Sequence, residues 1–134
     1  MRILETALYA EDLDAAATFY EETLGLERRV DVPGRHVFFS VEGGVLLLFN
    51  PNATTAPPRD PRMPVPPHGV TGEGHVCFAA SADEIEAWTA KLTAAGIEIE
   101  ADFEWPQGGR SIYFRDPAGN SIEFAEPRIW GLTS

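Results

Sequence analysis

Cysteine is nearly absent. One residue, Cys77, stands in 134. A lone cysteine excludes an intrachain disulfide and a cysteine-based zinc finger, and it fits a reducing cytoplasm. Basic charge is also scarce: 10 Lys and Arg face 21 Asp and Glu, for a net charge of −11 at pH 7. A surface of that sign repels phosphate backbones, so nucleic acid and anionic membranes are poor partners, whereas cationic ligands and metal ions are favoured. The same charge also serves plain solubility. Long apolar runs are missing; the longest, such as 45–49 (VLLLF), falls far short of a bilayer span. The first sixteen residues, MRILETALYAEDLDAA, lack a signal peptide's apolar centre and are acidic rather than basic. No Ser-His-Asp set is apparent. GEGH at 72–75 leads into a strand rather than a helix, so it is not a nucleotide-binding loop. These absences lead us to expect a cytoplasmic protein that engages neither nucleic acid nor membrane.

Apolar residues make up 44% of the chain, enough for a real core in a single domain over residues 1–134. Residues 3–10 read as a strand. Asp12 caps an amphipathic helix bearing Leu13, Ala16, Ala17, Tyr20 and Leu24, and Gly25 stops it. Strands follow at 26–32, 36–41 and 45–49, separated by Pro33-Gly34 and Gly43-Gly44. Residues 51–71 hold seven of the eleven prolines without periodicity and read as an extended linker or surface arm. Then the order recurs: a strand at 74–80, a helix opened by the Ser81/Glu84 capping box and closed by Gly96, a strand at 97–103, and a closing hairpin. HVFFSVEGGVLLLF superposes on SIYFRDPAGNSIEF with one extra turn residue in the second copy. The fold class is therefore α+β: two pseudo-symmetric β-α-β-β-β modules forming a cup-shaped mixed sheet with helices on its convex face. Repeat 1 covers 1–50 and repeat 2 covers 72–128.

The closing hairpin, residues 110–127, is the most informative stretch. Ile112, Phe114, Ile122 and Phe124 alternate onto one face, and Ser111, Tyr113, Ser121 and Glu123 onto the other. Asp116-Pro117-Ala118-Gly119-Asn120 makes the turn. Glu123 is a carboxylate in mid-strand between two apolar residues, and it must be paired, solvated or bound to a metal. The repeat matches Glu5 with His75 and Leu47 with Glu123. Alternation assigns Glu5, His36, Phe38, Leu47, His75, Cys77, Tyr113 and Glu123 to the concave face. Glu5, His75 and Glu123 thus project metal-competent side chains onto one surface. Each also has a plainer reading: a hydrogen-bonded core histidine for His75, a water-facing carboxylate for Glu5, and an ion pair with Arg110 or Arg115 for Glu123.

The duplication, together with DLDAAATFYEETLGL at 12–26, GEGHVCFA at 72–79 and IYFRDPAGNSIEF at 112–124, resembles the vicinal oxygen chelate superfamily. That superfamily includes glyoxalase I, extradiol dioxygenases, fosfomycin-resistance transferases and bleomycin-resistance proteins. The resemblance implies a divalent metal ion (Mn, Mg, Fe, Ni or Zn) held by Glu5, His75 and Glu123. Leu47 stands where a fourth ligand sits in glyoxalase I. Displaced from the ion, Glu123 would double as the catalytic base. Phe38, Leu47, Trp105, Arg110 and Tyr113 are the candidate substrate-binding residues, with ordinary packing as the plainer reading of Phe38, Trp105 and Tyr113. The expected function is a metal-dependent lyase, dioxygenase or thiol transferase acting on a small substrate with neighbouring oxygens. The alternative is a metal-free protein that sequesters a cationic drug. In either case the modules pair within or across chains, and a homodimer is expected.

Overall fold

A computed structural model describes residues 1–133. Its chain divides into two compact units, residues 1–74 and the remainder from His75 onward. In the first, β1 (Glu5–Tyr9) leads through α1 (Leu13–Thr18) to β2 (Glu27–Val32), β3 (His36–Val41) and β4 (Gly44–Phe49), in the sheet order β1-β4-β3-β2. β1 runs parallel to β4, and the other pairings are antiparallel. The second unit repeats the design. β5 (His75–Ala79), α3 (Ala82–Ala94), β6 (Ala101–Glu104), β7 (Arg110–Arg115) and β8 (Ser121–Ala125) give the order β5-β8-β7-β6, again with one parallel pair, β5 with β8.

Alternation decides what each sheet buries. Leu8, Val37, Phe39, Leu46 and Leu48 point to the helix side of the first sheet with Ala16 and Tyr20, all 3% exposed or less. Ile112, Phe114 and Ile122 do the same in the second, joined by Ile85 and Leu92 of α3 at 0%. Each fully buried side chain of this size contributes about 1.5–3 kcal/mol. Trp88 of α3 stacks on Phe124 at 4.8 Å, closing the edge of that core.

Four local features differ from the sequence reading. The first helix does not stay α-helical to Gly25: residues Phe19–Thr23 form a π turn, with the Leu24 N–H donating to the Phe19 carbonyl at 3.2 Å. The wider turn lets the consecutive Phe19 and Tyr20 both reach the interior, at 8% and 0% exposure. Residues 97–100 are not strand; ladder pairing with β7 begins at Ala101 opposite Tyr113. At the first strand, pairing begins at Glu5 rather than residue 3. The proline-rich arm opens with a one-turn helix, α2 (Pro51–Thr54), capped by the Asn50 side chain with proline at its first position. The arm folds back through His68, whose N–H donates to Thr54 and whose Nδ1 meets the Tyr9 hydroxyl at 2.7 Å. No helix is long and apolar enough to cross a membrane among the described residues.

Candidate functional site

β8 is an interior strand of the second sheet, and Glu123 sits at its middle. The register sets Cys77 of β5 and Tyr113 of β7 directly beside it. His75 and Ser111 lie two residues further along those strands, one at either end of the carboxylate, on the same face. The turn that fixes this register is built by Asp116. Its Oδ1 accepts from the Ala118 and Asn120 N–H groups, both at 2.9 Å, and its Oδ2 from the Asn120 amide. Gly119 takes the positive φ, +87°, that closes the turn.

Glu123 is 5% exposed and answered without a lysine or arginine. The Ser111 hydroxyl, itself fully buried, donates to Glu123 Oε1 at 2.7 Å. Glu123 Oε2 faces His75 Nε2 at 3.3 Å. The two arginines considered as ion-pair partners are engaged elsewhere: Arg110 with Asp102 and Glu86 at 2.6–2.9 Å, and Arg115 with Glu100 at 2.7 Å. The charge of Glu123 shapes its neighbours. Burial first, then the carboxylate, pushes the Cys77 thiol up to about 12, and the same two causes push the Tyr113 phenol up to about 12. Both stay protonated at neutral pH, so each is a hydrogen-bond donor and neither is a nucleophile.

The first sheet repeats the geometry and replaces the chemistry. Leu47 occupies the place of Glu123, between Ala7 and Phe38, and is buried. Glu5 takes the place of His75, paired with Val45 and exposed. His36 takes the place of Ser111. Its ring stacks on Phe38 at 4.2 Å, its Nδ1 is buried without a partner, and burial followed by the Arg35 charge lowers its pKa. Phe49 and His68 complete an aromatic cluster, their centroids 4.6 Å apart. This face offers apolar and aromatic surface where the second offers charge.

Of the sequence-derived site residues, the structure brings His75, Glu123 and Tyr113 together, with Trp105 joined to them through Ser111. Phe38 and Leu47 are direct cross-strand neighbours in the first unit. The Trp105 indole N–H donates to Ser111 Oγ at 2.8 Å, and the Arg110 guanidinium is taken up by its two carboxylates. Ser111 was not singled out by the sequence. Its signal was a small hydroxyl on the same face as Glu123, on the adjoining strand.

Whether these groups suit a metal ion turns on the tautomer of His75. Its Nδ1 lies 2.9 Å from the Ser121 carbonyl oxygen, an acceptor only, so Nδ1 carries the hydrogen. In the neutral ring, Nε2 then presents a lone pair to a carboxylate oxygen. Two acceptors face each other at 3.3 Å, and the repulsion is relieved by a proton or a cation between them. Two donors on one ion at bonds of about 2.1 Å stand roughly 3–3.4 Å apart. The pair fits two adjacent positions of a divalent ion. No group of three or more His, Cys, Asp or Glu able to hold an ion occurs among the described residues.

Comparison with known proteins agrees with this fold. The profile of the Glyoxalase/Bleomycin resistance protein/Dioxygenase superfamily matches residues 2–124. The crystal structure of a lactoylglutathione lyase from Agrobacterium tumefaciens is 45% identical, with a TM-score of 0.92, covering 98% of this chain and 97% of that one. A glyoxalase/bleomycin resistance protein/dioxygenase from Nocardioides is 27% identical, with a TM-score of 0.72, covering 94% and 83%. A fosfomycin resistance protein from Listeria monocytogenes, 20% identical with a TM-score of 0.67 and covering 92% and 88%, shares the fold. No protein of curated function matches the chain. With its duplicated β-α-β-β-β modules and a profile match over nearly its whole length, the chain belongs to the Glyoxalase/Bleomycin resistance protein/Dioxygenase superfamily.

Proposed function

We propose that the protein is a metal-dependent enzyme acting on a small substrate that offers two neighbouring oxygens to a divalent ion. The observation that carries this reading is the pair of acceptor atoms, His75 Nε2 and Glu123 Oε2, facing each other at 3.3 Å on a strand face where no arginine or lysine neutralises the carboxylate. Glu5, the repeat's counterpart of His75, is the third ligand in this reading. It is supplied by the first module of the same chain or of a second copy. Bound there, a Mn, Mg, Fe, Ni or Zn ion would polarise a substrate oxygen and acidify its neighbourhood. The protein's part is to hold and move protons. Displaced from the ion, Glu123 Oε2 would accept a proton from the substrate, with Cys77 and Tyr113 as donors beside it. Tyr113 and Trp105 line the polar wall, and Phe38 and Leu47 supply apolar surface. Arg110 meets an anionic group only by exchanging one of its carboxylates.

The likeness to the Agrobacterium lactoylglutathione lyase supports a lyase among the family's chemistries. Leu47 tempers that assignment, since it leaves three protein ligands where the repeat allows four. A second reading, a metal-free protein binding a cationic small molecule, is favoured by the net charge of −11 and by the lack of a three-donor group among the described residues. Elemental analysis of protein purified without chelator or metal-bearing tag, on fractions separated by sedimentation, decides between them. The enzyme reading predicts a dimer carrying a divalent ion in each site. A metal-free species that stays metal-free after incubation with Mn²⁺, Ni²⁺ or Zn²⁺ contradicts it.

A further inference from the structure

We propose that Trp105 and Ser111 are positioning residues: a directional relay, Trp105 Nε1–H to Ser111 Oγ to Glu123 Oε1, fixes Glu123 so that only Oε2 is presented to the ion and to His75. This rests on the metal-dependent reading above and deepens it.

The direction of the relay follows from what each group can do. An indole N–H donates and never accepts. Its 2.8 Å bond to Ser111 Oγ therefore occupies a lone pair of the hydroxyl and leaves the single Ser111 proton for another acceptor. Glu123 Oε1, 2.7 Å away, is that acceptor. Tyr113 also lies beside this carboxylate, and its phenol carries a proton of its own to donate. Ser111 has no solvent exposure, so water does not compete for its proton. A hydroxyl oriented in this way occupies one lone pair of Oε1 and ties that oxygen to the sheet, leaving Oε2 directed at His75. His75 is anchored on the same plan, with its inner Nδ1 on the Ser121 carbonyl and its outer Nε2 toward Glu123. Each ligand thus has one atom tied to the sheet and one directed outward.

The loop carrying Trp105 is made for that placement. The Trp105 N–H donates to the Gly109 carbonyl at 2.9 Å, and its own carbonyl accepts from the Gly108 N–H at 2.8 Å. Gly108 and Gly109 both have φ near +98°, and a Cβ on Gly109 would overlap the Ile129 side chain. Phe103 packs against the indole at 4.8 Å, so the ring has support independent of its N–H.

That last contact makes Trp105→Phe a mild probe, since it keeps an aromatic ring beside Phe103 while removing the donor. Two measurements test the relay. The first, in metal-free protein, is solvent exchange of the Trp105 indole N–H by NMR: slow in the wild type and fast in Ser111→Ala. The second is Mn²⁺ affinity by calorimetry in wild type, Trp105→Phe, Ser111→Ala and the double variant. Loss of a partner that orients a metal ligand typically costs about 10- to 100-fold in affinity. Ser111→Ala should fall in that range and Trp105→Phe at or below its lower end. The double variant should be no worse than Ser111→Ala, because the indole acts only through the hydroxyl. A rapidly exchanging indole in the wild type, wild-type affinity in both single variants, or additive losses in the double would overturn the proposal. A wild type with a protected indole and no Mn²⁺ binding would instead overturn the metal reading and leave the relay standing on the exchange result.

Discussion

At the scale of single residues, the chemistry of the second sheet is set by one buried carboxylate. Glu123 meets a serine, a histidine, a thiol and a phenol, and burial first, then its negative charge, raises the last two above their ordinary values. Cys77 as a residue is accessible to solvent, which by itself suggests a reactive thiol, although its sulfur is partly desolvated between the strands. The electrostatics argue the opposite, because a thiol pushed up to about 12 holds little thiolate at neutral pH. Labelling with a disulfide reagent at mildly alkaline pH should run at least about tenfold slower than for free cysteine. Glu123→Gln should speed it up in part, while wild-type labelling at the free-cysteine rate would show that neither burial nor the carboxylate raises the thiol. The pairing of Glu123 with Leu47 and of His75 with Glu5 was legible in the sequence, since strand alternation and the repeat fix position and face. The partners of Glu123 were not. Whether Arg110, Arg115 or Ser111 answers its charge depends on side-chain reach across the sheet, which period-two patterning does not encode.

At the scale of elements, local chemistry and long-range demand divide the outcome. Helix α3 was readable because its signals are local. The Ser81 hydroxyl accepts from the Glu84 N–H at 3.1 Å, and the Glu84 carboxylate accepts from the Ser81 N–H at 2.9 Å. The π turn after α1 was not, since it answers the burial of two adjacent rings rather than any propensity of FYEET. The one-turn helix at Pro51 has a local signal, asparagine followed by proline, that the surrounding prolines obscured. The capping box also has a pH signature. Hydrogen bonds to the Ser81 backbone, then to its side chain, lower the Glu84 pKa below its ordinary value of 4.5. A depressed carboxylate contributes stability above that value and loses it as pH falls through the folded one. Glu84→Ala should therefore lower stability near neutral pH, and the gap to wild type should narrow well below pH 4.5. Urea midpoints at the two conditions measure it; an unchanged gap would mean that the carboxylate takes no part in the cap.

At the scale of the whole molecule, the duplication has been divided in labour. The second module has a histidine and a carboxylate facing each other, while the first has Leu47 at the matching position, paired with Phe38, and an aromatic cluster of His36, Phe38, Phe49 and His68. In the proposed function His75 and Glu123 serve an ion rather than the fold, and Glu123→Gln separates the two roles cleanly. A glutamine carbonyl still accepts from Ser111, and its amide N–H donates to His75 Nε2, so the metal-free protein has no reason to lose stability. The ion, in contrast, loses its anionic ligand. The most direct measurement is the melting temperature of wild type and Glu123→Gln with and without Mn²⁺. At roughly 100 times its dissociation constant an ion stabilises by about 2.7 kcal/mol, which moves the melt of a chain this size by roughly 5–15 °C. That shift is expected in the wild type and not in the variant, with metal-free melts that coincide or favour the variant. A wild-type melt indifferent to Mn²⁺, together with a metal-free variant that melts lower, would contradict the proposed function and make Glu123 a structural residue.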